Sequence, residues 1–254
     1  MTLPTESPIL LSILGGIITT LLNGLGATPI LVLKKLPKRA LDIGLGFAAG
    51  VMLAASFTSL IMPAIETSGI MPVIIGIIIG SIAVSLADKV VPHLHAIIGF
   101  EGTPTTRLQA IWLFTIAITL HNMPEGLAVG VGFGSGNISK AISLMLAIGF
   151  QNIPEGLSIG FSILSLKNTS RYKAFLIAFL SGVVELPLSI LGSLGVTYAR
   201  GILPYAMGFA GGAMIFVVSD EVIPETHRMG HERLASYGLI IGLIIMLSLD
   251  LMLG

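Results

Sequence analysis

Long apolar segments, separated by short polar connections, follow one another along nearly the whole chain. Each segment has at least the roughly 20 residues that a helix needs to cross the hydrocarbon core of a bilayer. The apolar positions are near-continuous rather than alternating, which favours transmembrane helices over the strands of a barrel. The pattern predicts eight spanning helices, at residues 8–33, 40–65, 71–91, 107–133, 140–165, 173–198, 201–224 and 235–253.

Composition supports a membrane protein. Only 26 of the 254 residues are charged, 13 basic and 13 acidic, and apolar types make up 54%. The mean hydropathy is +0.98. A soluble domain averages about 25% charged residues, so an ordinary soluble fold is unsuited to this composition. We therefore interpret residues 1–254 as a single all-α integral membrane domain. Cysteine is absent, which excludes disulfides, thiolate metal sites and cysteine nucleophiles.

Basic residues sort to alternate connections, and this sorting predicts the orientation. The first connection, residues 34–39, carries four of them. If it is cytoplasmic, 11 of the 13 basic residues are inside, and only Lys140 and Arg200 are outside. Cytoplasmic loops carry an excess of Lys and Arg. The chain is therefore expected to have an even number of spans and both termini outside.

Two pairs of glycines are spaced for close helix packing. Gly46 and Gly50 form one pair, and Gly76 and Gly80 form the other. Small residues four positions apart let two helix backbones approach closely in lipid. We interpret both pairs as packing positions.

A polar motif occurs twice in the middle of the chain, 30 residues apart, inside the fourth and fifth predicted helices. Each copy contains an Asn, a Pro and a Glu followed by Gly. The two copies are His121-Asn122-Met123-Pro124-Glu125-Gly126 and Gln151-Asn152-Ile153-Pro154-Glu155-Gly156. Since the connection between the two helices is short, they must be antiparallel and can bring the copies together.

Each motif places polar groups where lipid disfavours them. His121 and Glu125 share one helix face because they are four residues apart. Pro124 and Pro154 each leave a backbone carbonyl without its helical donor. In a membrane such a break is tolerated only where protein or water satisfies the backbone. The motifs therefore predict two helices bent around a polar cavity.

A third carboxylate, Glu185, also lies mid-span, two residues before a proline. A charged side chain at the bilayer centre costs about 2.5–3.5 kcal/mol or more, and no Lys or Arg is placed to neutralise these acids. Imidazole, carboxylate and amide oxygen together suit Zn²⁺, and also Fe²⁺ or Mn²⁺. The structural alternative is protonated glutamates that donate hydrogen bonds between helices.

Other histidines cluster near the cytoplasmic ends of helices. His93 and His95 lie in the connection after the third predicted helix. His227 and His231 follow the seventh, near several carboxylates. These groups form either a cytoplasmic metal-release or sensing site, or ordinary solvated polar surface.

The paired motifs resemble those of the ZIP (Zrt-, Irt-like protein) family of metal transporters, in particular its bacterial zinc-uptake branch. The segments at 56–66 and 219–227 are similar to that branch as well. The resemblance implies eight helices, with helices 1–3 and 6–8 related by an inverted repeat around helices 4 and 5. It also implies a homodimer in the cell inner membrane and an elevator-like motion of a bundle that contains helices 4 and 5.

The resemblance further implies a two-metal centre. One position would use His121, Glu125, Gln151 and Glu155. The other would use Asn122, Asn152 and Glu185, with Glu125 and Glu155 bridging. Many family members have His where this chain has Gln151, which makes its ligand set harder.

The function expected from the sequence is inward transport of Zn²⁺, with Fe²⁺, Mn²⁺ and Cd²⁺ as further substrates, by alternating access. The alternatives are a passive metal-selective channel, an intramembrane metallohydrolase, or a metal sensor. A hydrolase would need an open three-ligand site such as His-Glu-x-x-His, and this sequence has none. We therefore expect no enzyme activity, no organic cofactor and no nucleic-acid partner.

Overall fold

The computed structural model describes residues 7–90, 94–95, 99–100, 107–165, 169–227 and 230–253. This part of the chain is almost entirely helical. Its helices are α1 (Pro8–Leu31), α2 (Lys38–Ser68), α3 (Ile70–Val90), α4 (Arg107–Gly134), α5 (Ile138–Ser165), α6 (Arg171–Tyr198), α7 (Arg200–His227) and α8 (Glu232–Leu253). Two short strands, β1 (Leu94–His95) and β2 (Gly99–Phe100), pair antiparallel. Helix ends lie within three residues of the predicted positions.

Six of the helices in the described part of the chain are long and apolar enough to cross a membrane. They are α1, α2, α3, α6, α7 and α8. The polar repeat lies on the other two, α4 and α5. In α5, the side chains of Gln151, Asn152 and Glu155 interrupt the apolar sequence near the middle of the helix.

Irregular turns interrupt three helices just before a proline. A π-helical turn spans Ser56–Ile61 in α2, and another spans Val218–Val222 in α7. They precede Pro63 and Pro224. Proline removes a backbone donor and clashes with the carbonyl four residues earlier, which lies inside the irregular turn in each case. In α6 the helix is interrupted at residues 183–184, before Pro187.

The most extensive helix contacts define two groups, which also contact each other through α2 and α5. In one, α2 lies along α8 and α3 lies along α7. In the other, α4 lies along α6, α1 lies along α5, and α1 also contacts α6. Exchanging α1, α2 and α3 with α6, α7 and α8, and α4 with α5, converts α2–α8 into α3–α7 and α4–α6 into α1–α5. The α1–α6 pair is converted into itself.

The predicted glycine pairs lie at these contacts. A Cβ added at Gly46 or Gly50 would overlap the α8 backbone. One added at Gly76 or Gly80 would overlap the α7 backbone. The packing interpretation is confirmed, because no residue larger than glycine fits at these positions without separating the helices.

Candidate metal centre

The two polar motifs meet between α4 and α5, at mid-length of both helices. Apart from His121, whose side chain is 13% exposed, their polar side chains are almost completely buried: Glu125 and Gln151 are 0% exposed, Asn122 and Asn152 1%, and Glu155 3%. Pro124 and Pro154 lie inside the two helices. The helices therefore deliver a compact set of polar groups to the interior of the protein.

One group of side chains has the spacing of a metal site. Ligand atoms of His121, Glu125 and Glu155 all lie within 4.8 Å of one another. His121 Nε2 is 3.6 Å from Glu155 Oε1. Gln151 Nε2 donates a hydrogen bond to Glu125 Oε1 at 2.6 Å, which brings the amide of α5 against the carboxylate of α4. A zinc ion binds nitrogen and oxygen ligands at about 2.0–2.2 Å, so small inward movements of these groups would suffice to coordinate one.

Glu185 completes the constellation from α6. Its side chain is 0% exposed, and its Oε1 accepts a hydrogen bond from Asn152 Nδ2 at 2.8 Å. Because α6 is interrupted just before it, Glu185 lies in the first turn of the following helical segment. Acidic side chains are stabilised at that end of a helix by the positive end of its dipole.

Unpartnered oxygens distinguish this region. Buried polar groups are normally hydrogen-bonded. Within the part of the chain that the structure describes, oxygen atoms on six of the seven sequence-predicted ligands are buried and have no hydrogen-bond partner. They are Asn122 Oδ1, Glu125 Oε2, Gln151 Oε1, Asn152 Oδ1, both carboxylate oxygens of Glu155, and Glu185 Oε2. Every one of these atoms can accept a hydrogen bond or bind a cation.

Helix α1 contributes two residues that the sequence did not single out. Asn23 is 0% exposed, donates from Nδ2 to the Ala178 carbonyl at 2.8 Å, and has an unpartnered Oδ1. The backbone carbonyl of Thr19 accepts from Asn152 Nδ2 at 3.3 Å. A polar residue in the middle of an apolar span was the available signal for Asn23, but no repeat or motif marked it.

Glu221 also reaches the centre from outside α4 and α5. Its Oε2 is 3.4 Å from His121 Nδ1. The imidazole therefore stands between Glu155 on one side and Glu221 on the other. Glu221 belongs to the π-helical turn of α7, so this contact joins the two helix groups.

The histidine cluster considered at the end of α7 does not converge. His227 Nδ1 lies 2.7 Å from the Ile223 carbonyl of its own helix. His231 Nδ1 instead lies 2.9 Å from Asp42 Oδ2 on α2. Since Glu221 turns towards His121, these residues do not form a common site. His93 and the side chain of His95 are outside the described residues.

Comparison with known proteins identifies the family. A sequence model described as "ZIP Zinc transporter" matches residues 100–250, more than half of the chain. Zinc transporter GufA of Myxococcus xanthus is 38% identical over 94% of this chain and 99% of its own length. The chain belongs to the ZIP family. Zinc transporter ZIPB of Bordetella bronchiseptica is 40% identical over 96% of this chain and 81% of its own. Zinc transporter ZIP11 of Homo sapiens is 36% identical over 98% and 99%.

Membership of the ZIP family confirms two predictions. The first is the family resemblance and its bacterial relatives. The second is that the chain belongs to a transport family rather than an enzyme family, so an intramembrane hydrolase is not supported. The six apolar helices agree with a multi-pass membrane protein.

Proposed function

We propose that this ZIP-family chain carries Zn²⁺ across a membrane through the centre formed by α4, α5 and α6. The observation that carries the proposal is the set of buried, unpartnered oxygens around His121, Glu125 and Glu155. An oxygen-rich site that also contains one imidazole suits a divalent ion of borderline softness. Relatives named as zinc transporters support zinc as the substrate.

We place two ions in the centre. His121, Glu125, Gln151 and Glu155 hold the first. Asn122, Asn152 and Glu185 hold the second, and Glu125 and Glu155 bridge the two. The pairing of Asn152 with Glu185 supports the second position, because it brings an amide and a carboxylate from different helices together.

The geometry around Glu155 favours a bound cation over protonated glutamates that link the helices. Glu125 accepts from the Gln151 amide, and Glu185 accepts from the Asn152 amide. A protonated glutamate acting as an interhelical donor would be expected to direct its O–H at an acceptor, whereas Glu155 has two buried oxygens without a partner. A divalent cation would bind these oxygens and offset the repulsion among three carboxylates.

We propose eight membrane spans, α1 to α8, in the cell inner membrane with both termini outside. The basic connection at residues 34–39 then lies in the cytoplasm, in agreement with the positive-inside rule. Transport into the cytoplasm takes the ion from the face bearing the connection at 135–137 to the face bearing residues 34–39.

Alternating access is supported by the arrangement of the helices. The exchange of α1–α3 with α6–α8 agrees with an inverted repeat, the architecture that many secondary transporters use with binding sites at mid-membrane. We propose that the group of α1, α4, α5 and α6 moves against the group of α2, α3, α7 and α8. The near-complete burial of Glu125, Gln151 and Glu185 favours a carrier over a continuously open channel. The homodimer is a proposal from the family resemblance, and the mass of the detergent-solubilised protein tests it.

Selectivity is proposed to be broad. A single imidazole and a carboxamide at position 151 leave a harder ligand set than two imidazoles would, and harder ligands admit Fe²⁺ and Mn²⁺ more readily. Cd²⁺, which resembles Zn²⁺ in charge and coordination, is proposed as a further substrate.

Zinc uptake by purified protein in liposomes tests the function. Glu125→Gln keeps the shape of the side chain and removes its charge, so we expect zinc uptake to fall to the background of protein-free liposomes. Glu232→Gln is the matched control, because Glu232 is an exposed glutamate at the start of α8 and should leave uptake unchanged. Full uptake with Glu125→Gln, or none with the parent protein, would contradict the proposal.

A further inference from the structure

A second polar cluster lies partly buried between helices, away from the metal centre. Asp250, near the end of α8, accepts hydrogen bonds from three hydroxyl groups. Ser143 Oγ donates to its Oδ1 at 2.7 Å, Ser59 Oγ donates to the same oxygen at 3.2 Å, and Thr58 Oγ1 donates to its Oδ2. Hydrogen bonds to a charged acceptor are the stronger ones, so this carboxylate is well placed to hold helices together.

The three donors come from both helix groups. Thr58 and Ser59 belong to the π-helical turn of α2, in the same group as Asp250. Ser143 belongs to α5, in the other group, and is 0% exposed. The bond from Ser143 therefore crosses the boundary along which the two groups are proposed to move.

Asp250 lies at the depth of a surface cavity, on the outer side of the metal centre, as the order of residues along α5 shows. Lys140 and Leu144 line a cavity of about 260 Å³, together with Ser59 of α2. Ser143 binds Asp250 at that level. Four residues further on, Ala147 lies 1% exposed in an apolar cluster, and four further still is Gln151 of the metal centre.

Apolar packing closes the path between the cavity and the centre. Ala147 belongs to a buried cluster that includes Leu60 of α2, Leu144 and Ile148 of α5 and Met214 of α7. A hydrated ion cannot pass through side chains packed in this way. An ion that enters through the cavity therefore requires α5 to separate from α2 and α7.

We propose that Asp250 is a positioning residue for transport: its bond to Ser143 holds α5 against α2 and α8 and keeps the path from the outer cavity to the metal centre closed. This role rests on the proposed transport function. The Ser143–Asp250 bond must break before the outward-facing state can form.

Asp250 and Ser143 both have other contacts available when the bond between them breaks. The bond can therefore break and form again reversibly. Asp250 keeps the two hydroxyl donors of α2, which belong to its own group. The hydroxyl of a helical serine can donate to the carbonyl four residues earlier in its own helix, here Ser139. Separation of α5 therefore leaves neither group buried without a partner.

The proposal is tested by the accessibility of a thiol placed between the Ser143–Asp250 bond and the metal centre. The chain has no cysteine, so Ala147→Cys introduces the sole thiol, and a buried thiol reacts slowly with a water-soluble alkylating reagent. Interhelical hydrogen bonds in membranes contribute about 0.6 kcal/mol on average and 1.7 at most. Ser143→Ala in this background should therefore raise the labelling rate from the outer face by about 3- to 18-fold.

Two other serines provide matched controls. Ser81 donates to the Gly212 carbonyl within the α3–α7 pair, and Ser189 donates to the Ser12 carbonyl between α6 and α1. Each joins helices of one group only, so Ser81→Ala and Ser189→Ala should leave the labelling rate near that of the Ala147→Cys parent. An unchanged rate with Ser143→Ala, or an equal rise in all three variants, would overturn the proposal.

A second variant keeps the test decisive if Ser143→Ala folds poorly. Asp250→Asn retains one acceptor oxygen and loses the other, so it should also raise the labelling rate. Zinc uptake by the same samples separates the two proposals. If the parent protein carries no zinc, the proposed transport function is wrong. Normal zinc uptake with no change in the labelling rate contradicts only the proposed role of the Ser143–Asp250 bond.

Discussion

Replacing Gly126 by alanine should weaken the second metal position while leaving the protein folded. Gly126 follows Glu125 on α4 and lies directly against the α6 backbone at Glu185. A Cβ added there would be 2.5 Å from both the Cα and the carbonyl oxygen of Glu185. Nothing flexible can move aside, because both neighbouring atoms belong to the backbone.

The displacement follows from these distances. Carbon atoms in contact prefer a separation of about 3.5–4.0 Å, so α4 and α6 must separate by about 1 Å at this point. Coordination distances tolerate only about 0.2 Å, and a shift of this size therefore withdraws Glu185 from an ion shared with Glu125. Overpacking of this kind costs about 1–3 kcal/mol in stability.

Zinc titration calorimetry on the purified protein measures the effect. Gly126→Ala should weaken the second zinc by about 10- to 100-fold, the range typical of displaced supporting groups in metal sites. Gly132→Ala on the same helix is the matched control. A Cβ there would come close only to the end of the flexible Leu144 side chain, at 3.2 Å, with Ala141 at an ordinary contact distance of 3.8 Å. The change should therefore leave both zinc ions bound. Two zinc ions bound by Gly126→Ala with parental affinity would refute the reasoning.

Three further predictions concern single residues. Gln151→His adds an imidazole and should shift preference towards Zn²⁺ and away from Mn²⁺ in competition uptake assays; an unchanged order would place selectivity elsewhere. Asn152→Ala removes both a proposed ligand and the donor to Glu185, so zinc affinity measured by titration should fall about 10- to 100-fold, and parental affinity would count against the second position. Asp42→Asn weakens the contact between α2 and His231, which immediately precedes α8, and should lower the melting temperature by a few degrees without abolishing zinc binding. Loss of zinc binding in that variant would instead indicate a direct role in the metal path.

The sequence predicted helix positions well because membrane burial is a local property. Each apolar run had to be helical to satisfy its own backbone, and the predicted ends agree with the structure to within three residues. The repeated motif was equally informative. Its two prolines, two glutamates and shared spacing pointed to one centre between α4 and α5, and His121, Glu125 and Glu155 do meet there.

Contacts between distant helices could not be predicted in the same way. The proximity of Glu221 to His121 and of His231 to Asp42 depends on how the two helix groups pack, and hydropathy carries no information about that. Neighbouring positions in the sequence therefore suggested a joint His227 and His231 site that the structure does not form. Asn23 was missed for a related reason, because a lone polar residue in an apolar span has no spacing that marks its partner.

The location of zinc itself tests the central claim most directly. Crystals of zinc-loaded protein, measured at the zinc absorption edge, should show anomalous peaks only where Glu125 and Glu155 face each other. Two peaks about 3.5–4 Å apart are expected, the separation typical of paired metal sites. The peak nearer His121 should lie within bonding distance of its imidazole. Zinc found only elsewhere, with the carboxylates of Glu125, Glu155 and Glu185 unoccupied, would contradict the account.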